Sequence, residues 1–555
     1  MKRYVLLIIM TLVASGNAFA GGAQDDGGSP ESAPRSGTES REVADGDTQG
    51  DSQDTAGPLR IVGVNKIGGF DSALGEGAAE IVAHSAEARR IYVVNAAQTS
   101  VDIVDIADPT RPELVRHIEV GRYGASANSV AVHGNYLAVA VEAEEVDGRG
   151  TLLLMDLDGE VVASFEAGVL PDMVTFTPDG RYLLSANEGE PSDDYTVDPE
   201  GSITVVDLSS GFGNATVRTA GFDAFNGERA ALVASGVRIF GPGASVAQDL
   251  EPEYIAVSDD SRTAWVSLQE NNAVAIVDIT SARVRAVAPL GFKDYSLGEN
   301  ELDTSDRDGE ILFRTAPVLG MYQPDAIAAI TIDGRQYLLS ANEGDARDYD
   351  GYSEETRIAD LALDSGAYPD ATAFGDDAVF GRLRTTDATG DTDGDGDIDQ
   401  IYVYGARSMT VWAADGDSLS LFADTGAELE RAVARLTPDG FNANDGLVEE
   451  FDARSDDKGP EPEAVVTGIV GGRPYAFLGL ERALGGFVVW DISDPAQPAF
   501  VEYVLSNDGS GDAGNDISPE GMVFIPADES PNGEPLVVVS YELSGTVAIY
   551  EIETR

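Results

Sequence analysis

From residue 59 onward, short apolar runs rich in Val, Ile, Leu and Tyr recur between turn residues, and no stretch carries the spacing of a long amphipathic helix. The runs repeat as a unit. Each begins with an acidic residue and an apolar strand, passes a short turn, continues as a strand ending in Asn or Glu, and finishes with a strand ending in Asp. Glu80-Ile81-Val82 leads to Ile91-Tyr92-Val93-Val94-Asn95 and then Val101-Asp102-Ile103-Val104-Asp105. Asp172 heads a copy that reaches Glu188, Glu253 one that reaches Glu270, and Asp325 one that reaches Glu343. Glu463 and Glu520 head copies that reach Glu481 and Glu542, and Asn128 replaces the acid in a seventh copy that reaches Glu142.

Repeats of short strands, bounded by turns such as Pro178-Asp179-Gly180 and Asp333-Gly334, predict an all-β chain folded as a single β-propeller of seven blades. An eighth blade is expected if Ile401-Tyr402-Val403-Tyr404 pairs with Met409-Thr410-Val411-Trp412. Arg60–Gly68 reads as a strand that completes the last blade and closes the ring. Residues 59–555 give about 71 per blade, against about 40–50 for a plain one, so one face is expected to carry long loops.

Composition narrows the chemistry. The 555 residues carry 35 Lys+Arg against 98 Asp+Glu, a formal charge of −63, which argues against binding nucleic acid or an anionic membrane face. With no cysteine, disulfides, thiolate metal sites and Cys nucleophiles are excluded. Only three histidines exist, His84, His117 and His133, so a three-His metal site would need them all. The four lysines are Lys2, Lys66, Lys293 and Lys458, a scarcity that fits either a surface adapted to salt and divalent cations or a GC-rich codon bias.

Residues 1–20 read as a signal peptide, with Lys2 and Arg3 ahead of an apolar Val5–Val13 and a small-x-small site at Ala18-Phe19-Ala20. Residues 21–58 read as a solvated acidic linker. The mature chain, residues 59–555 as one propeller domain, is expected to be exported, periplasmic or secreted, without a membrane anchor, and monomeric.

Two groups of acids are candidate metal ligands. If the acidic head opens the innermost strand of each blade, Glu80, Asp172, Glu253, Asp325, Glu463 and Glu520 ring one mouth of the central channel. Converging like charges need cations or basic partners, so the ring is either a hard-cation site, Ca²⁺ by its oxygen donors, or a set of blade-to-blade staples. Glu253 and Glu463 are expected to share an ion. The second group, Asp391, Asp393, Asp395, Asp397 and Asp399, matches the first nine positions of a calcium loop, with Gly396 at position 6. Tyr402 stands where the bidentate Glu would be, so a ligand from elsewhere or weaker binding is implied. Arg347, Arg454, Lys293 and Lys458 lie in charged loops, where they either bind an anion beside a metal or neutralise nearby carboxylates.

The stretches Glu76–Asn95, Leu170–Asp194, Arg238–Glu253, Arg454–Glu463 and the Asp391–Asp399 loop closely resemble the choice-of-anchor I domain family, over about residues 61–552. The resemblance implies an exported bacterial surface or secreted protein; some members carry the labels alkaline phosphatase or mesenchyme-specific cell surface glycoprotein. Two functions are therefore expected. The first is a calcium-binding propeller acting as a surface or secreted binding module for an extracellular ligand. The alternative is a Ca²⁺-dependent phosphatase acting on a phosphoester, with Arg347 and Lys458 as candidate catalytic cations.

Overall fold

The computed structural model describes residues 59–511 and 514–555, so the signal peptide and linker lie outside the described residues. The described residues form one compact unit. Seven four-stranded antiparallel sheets follow one another along it. Blade 1 uses Val82–Ser85, Arg90–Asn95, Ser100–Asp105 and Glu113–Glu119. Blades 2 to 6 begin at Ala127–His133, Pro171–Phe176, Ile255–Val257, Ile327–Ile332 and Pro462–Val470. Blade 7 takes Pro519–Ile525, Leu536–Tyr541 and Thr546–Thr554 from the C-terminal end, and Ile61–Asp71 adds its fourth strand. The first strands of successive blades touch in order, and the seventh touches the first, which closes a β-propeller.

Strand alternation explains why the ring holds. Successive side chains point to opposite faces of a sheet, so each blade feeds two junctions. Leu137, Val139 and Val141 enter the core with blade 1, whereas Ala138 and Ala140 enter the core with blade 3. Each of the seven junctions has its own buried cluster. In blade 5 the indole of Trp412 donates to Ser340 Oγ at 2.8 Å, which satisfies the polar edge of a buried ring.

The expected pairing for an eighth blade does not occur. Met409–Asp415 is the third strand of blade 5 and pairs with Arg335–Ala341. Tyr402–Val403 instead joins a five-stranded sheet with Phe292–Asp294, Leu319–Met321, Arg384–Thr386 and Glu355–Arg357. That sheet is built from residues inserted before and within blade 5, and it has its own apolar core around Tyr295, Ile358 and Leu383.

Topology sends the long segments to one side. A blade's first strand starts, and its second strand ends, at the same end of the sheet. The links 222–254, 290–326, 342–408 and 425–461 all leave or arrive at that end, while the opposite end has short turns such as Asp333-Gly334. The long loops therefore crowd the face that carries the acidic heads.

Candidate functional site: the acidic mouth of the channel

Each head opens or immediately precedes the innermost strand of its blade, so the repeat itself delivers six carboxylates to one mouth. A second ring joins them. Glu142, Glu188, Glu270, Glu343, Glu481 and Glu542 follow the second strands of blades 2 to 7, and antiparallel pairing returns them to the same end. The sequence showed these strand-ending glutamates, but their significance depends on the closed ring.

The heads converge across the channel. Burial, then Asp325 and Glu190, push the Asp172 carboxyl up to about 6. Burial and Glu542 push Glu80 up to about 8. Burial holds Glu253, Glu463 and Glu520 well above the ordinary carboxylate range, with Glu270, Asp325 and Glu542 respectively as the foremost like charges. In the outer ring, burial raises Glu188, brings Glu343 to about 8, and brings Glu270 and Glu481 to about 7. Tyr254 packs among these heads, its hydroxyl raised to about 12 by burial and by Asp325, Glu520 and Asp172.

Among the described residues, no Arg or Lys pairs with any of the six heads. The arginine form of the staple alternative for the heads therefore finds no support. Glu80, 5% exposed, and Glu463, 8% exposed, each keep a buried oxygen without a hydrogen-bond partner. Asp325, Glu343 and Glu463 each offer an oxygen within 4.8 Å of the others, as do Glu343, Glu461 and Glu481. The expected partnership of Glu253 with Glu463 is thus displaced: Glu463 groups with Asp325, and Glu253 borders Glu270 and Glu188.

The basic candidates neutralise carboxylates. Arg347 is wholly enclosed; it bonds Asp249 Oδ1 at 2.5 Å, the Asp249 carbonyl at 2.7 Å and Glu251 at 3.0 Å, and lies over the Phe240 ring. Lys293 donates to the Ala406 and Gly426 carbonyls and pairs with Asp424. Arg454 pairs with Glu461 and Asp457. Lys458 is the cation nearest the triad: it bonds Glu343 and lies 3.3 Å from Glu461. Although burial opposes it, Arg454, Lys458 and Arg482 hold Glu461 well below the usual carboxylate range.

The aspartate loop lies apart, before Tyr402–Val403. Asp391, Asp393 and Asp399 cluster within 4.8 Å, with Asp391 accepting the amides of Gly394 and Gly396. Asp397 and Asp399 form a second such group with Asp364, brought in by the parallel bridge of Leu363 to Ile398. Asp395 belongs to neither group; it accepts the Asp397 amide. The three histidines form no joint metal group among the described residues.

The sequence model of the choice-of-anchor I domain matches residues 80–495, well over half of the chain. The chain belongs to that family. Two curated relatives accompany this family member. Gigasin-3a of Magallana gigas is 27% identical over 190 residues, 32% of this chain and 66% of the relative. The mesenchyme-specific cell surface glycoprotein of Strongylocentrotus purpuratus is 26% identical over 296 residues, 48% of this chain and 37% of the relative. The chain thus matches less than two thirds of either relative's length. Among solved structures, Kuenenia stuttgartiensis hydrazine synthase is similar at a TM-score of 0.43 and 12% identity, covering 85% of this chain and 95% of that one. The Myceliophteria thermophila Cps50 (Swd1) β-propeller domain gives 0.42 and 10%, covering 89% and 100%. No helix among the described residues is long and apolar enough to cross a membrane.

Proposed function

We propose that this family member is an exported propeller, presented at a surface or secreted, whose acidic mouth takes up Ca²⁺ and serves as a binding module. The observation that carries the reading is the Asp325, Glu343 and Glu463 triad, oxygens within 4.8 Å, with one Glu463 oxygen buried and unpartnered. Lys458 already pairs with Glu343; the remaining carboxylates so placed must either stay protonated or take a cation, and an all-oxygen donor set favours a hard one. The name of the Strongylocentrotus purpuratus relative, a cell surface glycoprotein, supports the location.

Thermal melting with Ca²⁺ and with chelator tests the site. Preferential binding to the folded state should raise the melting temperature of the parent, and Glu463→Gln should lose part of that rise. Equal calcium responses in both would overturn the mouth as a site. Lys458, against Glu343, is the observation that favours a second reading, Ca²⁺-dependent phosphoester hydrolysis. Turnover of p-nitrophenyl phosphate that requires Ca²⁺ and vanishes in Glu463→Gln would decide for catalysis; Ca²⁺ binding without turnover supports the binding module.

A further inference from the structure

A second buried acidic pocket lies where the link from blade 4 to blade 5 meets the link from blade 5 to blade 6. One guanidinium joins the two. Arg407 donates to the Asp303 carbonyl at 2.7 Å and to Glu430 at 2.8 Å, and also to the carbonyls of Ser455 and Asp457, each at 2.8 Å. Ser455 in turn donates its hydroxyl to Asp452 Oδ1 at 2.6 Å. Arg407 thus ties the backbone at Asp303 to that at Ser455, whose hydroxyl holds Asp452, a residue distant from Asp303 in sequence.

Two oxygens in this pocket lack any donor. Asp452 is 2% exposed, and its Oδ2 has no hydrogen-bond partner. Asn442 is wholly buried; its amide donates to Ser455 Oγ at 2.9 Å and Glu430 at 2.8 Å, and its Oδ1 is unpartnered. Asp303, also wholly buried, accepts the amides of Leu312 at 2.6 Å and Ser305 at 3.3 Å. No Arg or Lys among the described residues pairs with either carboxylate; Asp306 and Asp308 nearby are taken by Arg382 and Arg314. Burial raises Asp303 to about 7 and Asp452 to about 8, with Asp303 among the charges acting on Asp452. A buried anion facing other oxygens is costly unless something positive joins it.

We propose that Asp452, Asp303 and Asn442 hold a divalent cation, Ca²⁺ by their oxygen-only donors, which pins the two links together. This site is separate from the mouth and from the aspartate loop, and it does not depend on either.

Asp452→Asn tests it, because Asp452 has a φ of +70°, a conformation asparagine also accepts. The full chain is stripped with chelator, dialysed against Ca²⁺ and analysed for bound metal and melting temperature. The expected result is one calcium fewer per chain than in the parent and a smaller calcium-induced rise. In chelator the variant should melt at or above the parent, since a buried anion has gone. Equal calcium content would overturn the proposal, as would a lower melting temperature in chelator with an unchanged calcium rise. Asp303→Asn keeps an acceptor for one of the two amides, which Asp303 takes on separate oxygens, and is expected to lose the same ion; full calcium content there would also overturn it.

Discussion

Lys458 and Arg347 show how much a single buried charge settles in this protein. Lys458 Nζ lies between Glu343 and Glu461, with 13% of its side chain exposed, and Glu461 has none exposed. Removing one partner of a buried pair leaves an uncompensated charge, so Lys458→Met should cost about 3–5 kcal/mol, measured by denaturant unfolding. Arg347 makes a fork to Asp249 and Glu251 and stacks on Phe240, geometry that an ammonium cannot reproduce. Arg347→Lys should therefore destabilise the fold by about 2–3 kcal/mol in the same measurement. The charged loop around Arg347 was legible in the sequence, but its partners were not: nothing local connects residue 347 to 249 and 251.

Among the elements, the repeat made the blades legible because each strand pair is local and each head recurs at one position. The closing strand was legible too, since Ile61–Asp71 has no local partner and Thr546–Thr554 needs one. Deleting residues 59–71 should leave the Thr546–Thr554 edge unpaired and uncover part of the junction between blades 6 and 7, where Ile61 and Val64 are buried. The expected outcome is loss of the cooperative thermal transition, followed by circular dichroism. The eighth blade failed for the opposite reason. Met409–Asp415 carries a strand pattern, yet its partner, Arg335–Ala341, lies across an insertion, and pattern alone does not name partners. The helix Glu428–Leu436 is not legible in the sequence, because Leu429, Ala432 and Val433 make a buried stripe too short to stand out.

For the whole molecule, the dominant fact is charge: −63 overall, with two carboxylate rings meeting at one mouth. The sequence revealed the rings' members, while their convergence depends on closure of all seven blades. Raised carboxyls favour the folded state when protonated. Their contribution is full below the ordinary value of 4.5 and is lost as pH rises through the folded values, about 7 for Glu270 and Glu481 and about 8 for Glu80 and Glu343. Glu461, held low by three cations, works in the other direction and favours the folded state above its ordinary value. The raised groups outnumber it, so metal-free protein should melt at a lower temperature at about pH 8 than at about pH 5. Added Ca²⁺ should narrow that gap, because the deprotonated ring is the form that binds it.

The mouth itself is tested most directly by calorimetric titration of Ca²⁺ into chelator-stripped protein at about pH 7.5, parent beside Glu463→Gln. The parent should show a binding step accompanied by proton release. In the variant that step should be absent or at least about tenfold weaker, a loss of about 1.4 kcal/mol or more. The aspartate loop and the Asp303–Asp452 pocket are intact in both proteins, so the difference between the two titrations reports the mouth. Superimposable isotherms, with the same calcium bound and the same protons released, would contradict a cation held by Asp325, Glu343 and Glu463.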